Sequence, residues 1–529
     1  MEIKEKLLLG QTSLGIEFGS TRIKAILIDD QQKLLADSSY QWENQLVDGF
    51  WTYSQDAIIE GLQTCFTHLK AAVKDQYGVT LTKIGQIGIS AMMHGYLPFD
   101  AEGNLLVPFR TWRNNNTTEA AKLLTDEFHF NIPERWSIAH LYQAVLDSEP
   151  HLYELDFMTT LAGYIHWLLS DRKVLGVGDA SGMFPIDSTT QQYDKEKLMQ
   201  FDKLIESKVF PWQIETVLPE VLIAGQDAGK LTQAGALLLD PEGDLEPGSR
   251  LCPPEGDAGT GMVATNSVSP KTGNVSAGTS IFAMIVLAQP LSNIYPEIDM
   301  VTTPSGDDVA MVHANNCTSD INAWVNLFYE FAQKAGSPLS LDQTYTLLFN
   351  QALEGDPNCG QLLNYGLFSG ENIIQIEEGR PLLVRQPNSQ FNLANLFKSQ
   401  ILSAFSTLAI GMELLTQNEQ IEIDQLLGHG GIFTTPKVAQ TILANILNIP
   451  VTVTTTSNEG GAWGMALLAD YLNHADLALN EYLETIVFKE IENVTVQPEG
   501  EEVKNAKAYL SSYKLGLPIE KAAISYFKS

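Results

Sequence analysis

Near the N-terminus, apolar and polar positions alternate with the period of a strand that buries one face: Leu14, Ile16 and Phe18 are separated by Gly15, Glu17 and Gly19. After the turn Ser20-Thr21-Arg22 a second apolar run extends from Ile23 to Ile28. A third, from Leu34 to Tyr40, follows Asp29-Asp30-Gln31-Gln32. This pattern predicts a β-meander whose first turn carries a glycine and two hydroxyls. It returns in the second half of the chain, where Gly273-Asn274-Val275-Ser276-Ala277 passes through Gly278-Thr279-Ser280 into Ile281 to Val286. Two strand, turn, strand units half a chain apart predict a duplicated architecture.

Between these units the pattern is mixed. Ile84 to Ser90 predicts a buried strand. Asn395 to Leu415 sets Phe397, Ile401, Phe405, Leu408, Met412 and Leu415 on one helical face. Ile423 to Leu427 predicts a short strand, Gly428-His429-Gly430-Gly431 a tight turn, and Thr435-Pro436 an N-cap and first residue for a helix to Leu447. Val451 to Thr455 follows as a strand, giving the order of an α/β domain. Pro241 to Gly261, rich in proline and glycine, predicts irregular backbone, and the domain boundary is placed just after it. The expected domains are residues 1–268 and 269–529, the second ending in helices.

Composition narrows the function. A chain of 529 residues is too long for one core, and 32 basic against 64 acidic side chains leave a formal charge of −32. Such a field repels nucleic-acid backbones and anionic membranes, but a few backbone N–H groups at a turn still hold a small phosphate. The apolar run Ile281 to Ala288 is too short to span a bilayer, and the first residues lack the apolar stretch of a secretory signal, so a cytoplasmic protein is expected. Cys65, Cys252, Cys317 and Cys359 are scattered and form no Cys-x-x-Cys pair, which predicts reduced structural thiols and no metal-thiolate site.

Gly15-Ile16-Glu17-Phe18-Gly19-Ser20-Thr21 has the glycines of a dinucleotide fingerprint, but that loop must open a helix and here the chain turns into a strand. Two readings remain. The turn is an ordinary hairpin, or the N–H groups and hydroxyls of Gly19, Ser20 and Thr21 hold the outer phosphates of ATP, with Glu17 facing magnesium and Lys24 adding charge.

Seven short motifs occur in order: Gly15 to Lys24, Met93-His94-Gly95, Trp112-Arg113-Asn114-Asn115, Gly178-Asp179-Ala180-Ser181-Gly182, Gly256-Asp257-Ala258-Gly259, Gly273 to Ser280, and Gly430-Gly431 through Glu459-Gly460-Gly461-Ala462-Trp463-Gly464. In order and spacing, over essentially the whole chain, they resemble the FGGY family of carbohydrate kinases. The resemblance implies an α/β, two-domain actin/hexokinase-like (ribonuclease H-like) fold with a catalytic cleft between the domains. It also implies magnesium-ATP as phosphoryl donor, and a homodimer as the family-level assembly. Asp257 then matches the general base that accepts the sugar hydroxyl proton, with Asp179 as the rival carboxylate. Met93 and His94, at the end of a strand, resemble the substrate loop of xylulose kinases. Arg113 and Asn114, with Arg110 and Asn115, supply donors and acceptors for a polyol. Gly278 and Thr279 resemble a second phosphate turn, and Gly430 and Gly431 a close approach of backbone to nucleotide.

Two departures stand out: Glu17 where the family usually has aspartate, and amides at Asn114 and Asn115 where many members have an aspartate nearby. Within the family the whole chain resembles L-ribulokinases, so the resemblance implies L-ribulose to L-ribulose 5-phosphate, in arabinose catabolism, as the expected reaction. D-Xylulose stands second, on the strength of Met93-His94-Gly95. A non-catalytic sugar sensor or actin-like ATP-binding protein is the competing class. The histidines His129, His140, His151 and His166 read as structural, and His313 and His429 carry no assigned role.

Overall fold

A computed structural model describes residues 2–454 and 460–527; Thr455, the expected end of one strand, and Glu459 of the last motif lie outside the described residues. The chain forms two compact units. The first comprises Met1–Val268, Asp299–Val309 and Glu459–Glu490, and the second Ser269–Ile298, Ala310–Asn458 and Ile491–Ser529. The C-terminal half thus returns twice to the first unit, which a single boundary after residue 268 does not describe.

In the first unit the meander is β1 (Thr12–Phe18), β2 (Arg22–Asp29) and β3 (Leu34–Gln41). β4 (Gln86–Ala91) lies parallel to β1 on its other side, and the short strands β5 (Arg250–Leu251) and β6 (Glu255–Gly256) both pair in parallel with β4. β5 and β6, together with a helix Asp257–Ala264, occupy the stretch expected to be irregular. Its prolines and glycines punctuate strands only two residues long, too short to show a period.

Side chains of a strand alternate between faces, and this decides what packs where. Leu14, Ile16 and Phe18 share one face with Ile23, and there the helix Gln55–Tyr77 buries Ile58, Leu62, Phe66, Leu69 and Val73. Ser54 caps its first turn by accepting from Ala57 N–H, and Gly78 ends it in the left-handed region. Gly15 and Glu17 point to the opposite face, which receives the helix Gly460–Tyr471. A Cβ on Gly15 would lie 2.2 Å from the Ala462 carbonyl oxygen and 2.4 Å from Ala466 N, and one on Gly88, paired with Gly15, 2.5 Å from Met465 Cε. Two glycines side by side on β1 and β4 therefore let this helix seat directly on the sheet.

The second unit repeats the plan. β7 (Thr272–Ala277) is antiparallel to β8 (Ile281–Val286) and parallel to β10 (Gln425–His429); β9 (Asp308–Ala314) continues the sheet beyond β8. On the far side of β10 come β11 (Val451–Thr454), parallel to it, and β12 (Asn493–Val496), antiparallel to β11. The order β9-β8-β7-β10-β11 matches β3-β2-β1-β4-β5 of the first unit. The helix Leu393–Glu413 is buried along nearly its whole length, as its apolar stripe predicts. The helix expected from Thr435-Pro436 begins later, at Val438, because Lys437 takes a left-handed conformation (φ 67°) and is the N-cap in place of Thr435. All four cysteines are free and buried, and no helix among the described residues is long and apolar enough to cross a membrane.

Candidate active site

Ligands of α/β sheets gather at the carboxyl ends of parallel strands. In the first unit those ends belong to β1, β4 and β6, and they deliver Glu17, the Met93-His94 loop and Asp257. Asp257 is the first residue of its helix, and its Oδ1 accepts a hydrogen bond from Met93 N–H at 3.2 Å. Gly256 has no side chain for a simple reason: a Cβ there would lie 2.2 Å from Met93 Cγ. Thr260, one turn along, lies 3.2 Å from Ser90 Oγ, fixing the helix to β4.

Burial raises the Asp257 pKa to about 6, while backbone N–H groups, that of Met93 foremost, hold it down. Asp179 is driven higher, to about 8, by burial, with Asp257 adding like-charge repulsion. Its Oδ2 accepts from Thr160 Oγ1 at 2.6 Å, and its Oδ1 has no partner among the described residues. At neutral pH the rivals therefore separate: Asp257 is mostly ionised and able to accept a proton, whereas Asp179 is mostly protonated. Glu255, not foreseen in the sequence, completes the arrangement. It is buried, accepts the N–H groups of Gly178 and Asp179 at 3.3 and 3.0 Å, and is also raised to about 8 by burial and then by Asp179. Its only trace in the sequence is a carboxylate directly before Gly-Asp-Ala-Gly.

His94 adopts a positive φ of 67° and places Nδ1 3.1 Å from the Gly182 carbonyl oxygen. A carbonyl only accepts, so Nδ1 carries the proton and Nε2 is left as an acceptor. Burial foremost, then Arg135, lowers its pKa to about 3, so the ring is neutral; it stacks on Trp136 with centroids 6.2 Å apart. Gly182 closes the Gly-Asp-Ala-Ser-Gly loop against this imidazole, and a Cβ there would lie 2.6 Å from Nδ1.

Arg113 and Asn114 make no hydrogen bond to this group among the described residues. Arg113 donates to Asn44 Oδ1 at 2.9 Å and lies 3.9 Å over the Trp51 ring. Asn114 is buried; its Nδ2 donates to the carbonyls of Trp51 and Thr111, and its Oδ1 accepts from Trp51 N–H. Its amide thus pins the loop, so the contact expected from it toward a polyol is spent on backbone. Arg110 is likewise spent, in an ion pair with Glu149.

Glu17 Oε2 accepts Ala462 N–H at 3.2 Å from the start of the helix Gly460–Tyr471, and a Cβ on Gly461 would lie 2.4 Å from Oε1. Burial first, then the Asp257 charge, raises its pKa to about 7, with Lys24 opposing. No group of three or more His, Cys, Asp or Glu among the described residues is arranged to hold a metal. A cation beside Glu17 would therefore need most of its ligands from phosphate and water, as magnesium commonly has.

The turn after β1 carries Gly19, Ser20 and Thr21. Trp42 Nε1 donates to the Gly19 carbonyl at 2.8 Å, and Tyr53 Oη to the Ser20 carbonyl at 2.5 Å. In the second unit Gly278 and Thr279 form the corresponding turn, and a Cβ on Gly278 would meet open space. Gly430 (φ 106°) approaches the end of β7 so closely that a Cβ would lie 2.3 Å from the Ala277 carbonyl oxygen, whereas Gly431 faces open space.

Known families and structures match the chain along most of its length. Residues 12–239 match the FGGY family of carbohydrate kinases, N-terminal domain, and residues 273–472 match its C-terminal domain. A xylulose kinase of Haemophilus influenzae is 23% identical over 531 residues, covering 95% of this chain and 98% of that protein. Among solved structures, a ligand-bound xylulose kinase from Lactobacillus acidophilus superposes with a TM-score of 0.77 at 15% identity, covering 97% of this chain and 98% of its own. A gluconate kinase from the same organism gives the same TM-score and identity, covering 98% and 99%. The chain belongs to the FGGY family of carbohydrate kinases, with that family's two-domain actin/hexokinase-like fold. It is a sugar kinase with ATP as cosubstrate.

For a reaction that uses Asp257 as its base, the ionisation of that carboxyl sets the sign of the pH dependence. Below the Asp257 pKa the carboxyl already holds a proton and cannot take another, so kcat/KM for sugar is expected to fall as pH drops through about 6. A coupled ADP-release assay between pH 5 and 8 measures this limb.

Proposed function

We propose that the protein phosphorylates a ketopentose, with D-xylulose the leading substrate and L-ribulose the second. The observation that carries this reading is the ionised Asp257 held beside the Met93-His94 loop at the carboxyl ends of β4 and β6. The order of the two sugars reverses the one expected from sequence. The Haemophilus influenzae relative matched along nearly its whole length is named a xylulose kinase, and Met93-His94-Gly95 favours the same sugar.

In this reading Asp257 accepts the proton of the attacking hydroxyl as its oxygen bonds to the γ-phosphorus and the bond to the bridging oxygen of ADP breaks. Met93 and the neutral His94, through Nε2, orient the sugar; Arg113 contributes from its loop and Asn114 holds that loop in place. Gly19, Ser20, Thr21 and Lys24 are assigned to the nucleotide, as are Gly278, Thr279, Gly430 and Gly431. Magnesium, when bound, neutralises charge on the phosphates, and Glu17 is the residue placed to meet it, directly or through water. A carboxylate kept ionised at this position favours turnover over a non-catalytic sensor.

The test is sugar-dependent ADP release with magnesium-ATP across D-xylulose, L-ribulose, ketohexoses and polyols. The expected result is the highest kcat/KM for D-xylulose, by about tenfold or more over L-ribulose, the discrimination that one or two contacts provide. A higher value for L-ribulose reverses the order, and activity confined to hexoses or polyols refutes the ketopentose reading.

A further inference from the structure

Both glycine-hydroxyl turns present their peptide groups in the same way. In the first unit the carbonyls of Gly19, Ser20 and Thr21 accept from Trp42 Nε1 (2.8 Å), Tyr53 Oη (2.5 Å) and Trp42 N–H (3.2 Å). In the second unit the Gly278 carbonyl accepts from both Thr318 Oγ1 (2.8 Å) and Thr318 N–H (3.1 Å), and the Thr279 carbonyl from Cys317 N–H (2.9 Å). A trans peptide sets its N–H opposite its C=O. Pulling the carbonyls of Gly19 and Ser20 toward one side therefore turns the N–H groups of Ser20 and Thr21 to the other. The same holds for Thr279 and Ser280. None of these four N–H groups has a hydrogen-bond partner among the described residues.

The donors are not incidental to local structure. Thr318 stands at the N-cap of the helix Ser319–Lys334, where a threonine hydroxyl ordinarily caps its own first turn, yet it makes no such bond and reaches Gly278 instead. The segment before it is held by Glu371, whose Oε2 accepts Asn315 N–H at 2.9 Å and Asn316 Nδ2 at 3.0 Å; Asn316 Oδ1 in turn accepts from Phe368 and Ser369 N–H. Tyr53 is buried and stacked on Trp42 with centroids 4.0 Å apart, so its hydroxyl is fixed.

We infer that Tyr53 with Trp42 in the first unit, and Thr318 in the second, are positioning residues that rotate the two turns so that their N–H groups face the phosphates of ATP. The inference rests on the reading of both turns as phosphate cradles. None of the three residues needs to touch the nucleotide. Each removes the carbonyl dipole that would otherwise face an anion and fixes the N–H dipole that attracts it.

The test is steady-state kinetics on the full chain. Tyr53→Phe and Thr318→Val each delete one hydroxyl donor with little change of shape, and each is expected to raise KM for magnesium-ATP about fivefold. The sugar KM should stay within about twofold, and Thr318→Ser should restore the wild-type value. A purely structural role would instead lower the thermal midpoint and leave the ATP KM unmoved, and that result overturns the inference. Gly278→Asp, whose side chain enters open space and sets a carboxylate at the turn, separates the two levels. If it weakens ATP and the hydroxyl deletions do not, the positioning role is wrong while the cradle stands. If it too leaves the ATP KM unchanged, the cradle reading of this turn fails and the inference with it.

Discussion

Asp257→Asn is expected to fold and bind sugar as the wild type does and to lose sugar phosphorylation by about 10²–10⁴-fold in kcat, the usual contribution of a positioned general base. Asparagine keeps the shape and the carbonyl oxygen that accepts Met93 N–H, so the link between the helix start and the Met93-His94 loop survives. What disappears is the capacity to take a proton. The rival carboxyl cannot substitute: burial holds Asp179 at about 8, and Thr160 occupies one of its oxygens. Turnover is followed by coupled ADP release, and binding by calorimetry with sugar alone. Turnover close to wild type in this variant removes Asp257 from the role.

Gly464→Ala is expected to cost about 2–3 kcal/mol of stability, the upper range for overpacking, and about 100-fold in kcat/KM. Its Cβ would lie 2.0 Å from the Thr260 carbonyl oxygen and 2.9 Å from the Thr260 carbonyl carbon, atoms of a helix backbone that cannot swing aside like a side chain. The helices Gly460–Tyr471 and Asp257–Ala264 must then separate, moving the end that carries Asp257. Gly261 is the internal control. It lies in the same helix as Thr260, its Cβ would meet nothing within 4 Å, and Gly261→Ala is expected to leave the thermal midpoint unchanged or raise it. Equal losses in the two variants would mean that the close contact with Thr260 is not what limits this packing, since Gly261→Ala makes no such contact.

These glycines also mark where sequence and structure part. The meander and its repeat were legible because strands of six to eight residues show their alternation, and because the turns need glycine and small polar residues at fixed places. The position of Asp257 followed from the order of motifs, although the strands that present it, only two residues each, have no period to read. The helix Gly460–Tyr471 was not legible as part of the first unit, since nothing local shows that it lies on β1, more than 400 residues earlier. Gly461 and Gly464 stand in the sequence only as part of the last motif; in the fold they make room for the Glu17 carboxylate and for the Thr260 backbone. Thr435-Pro436 misled for a related reason, because a left-handed Lys437 delays the helix and only tertiary packing selects that conformation. Asn114 and Arg110 read as free polar groups, but side-chain type does not reveal that neighbours already occupy them.

The central claim is that an ionised Asp257 takes the proton of a bound ketopentose. Its most direct test is the pH profile of D-xylulose-dependent ADP release, measured side by side for the wild type and Asp257→Asn. The account predicts a wild-type kcat/KM that falls about tenfold per unit below a midpoint near pH 6, and a residual activity in the variant that is flat across the same range. The same acidic limb in both proteins would contradict it, because the titrating base would then lie elsewhere.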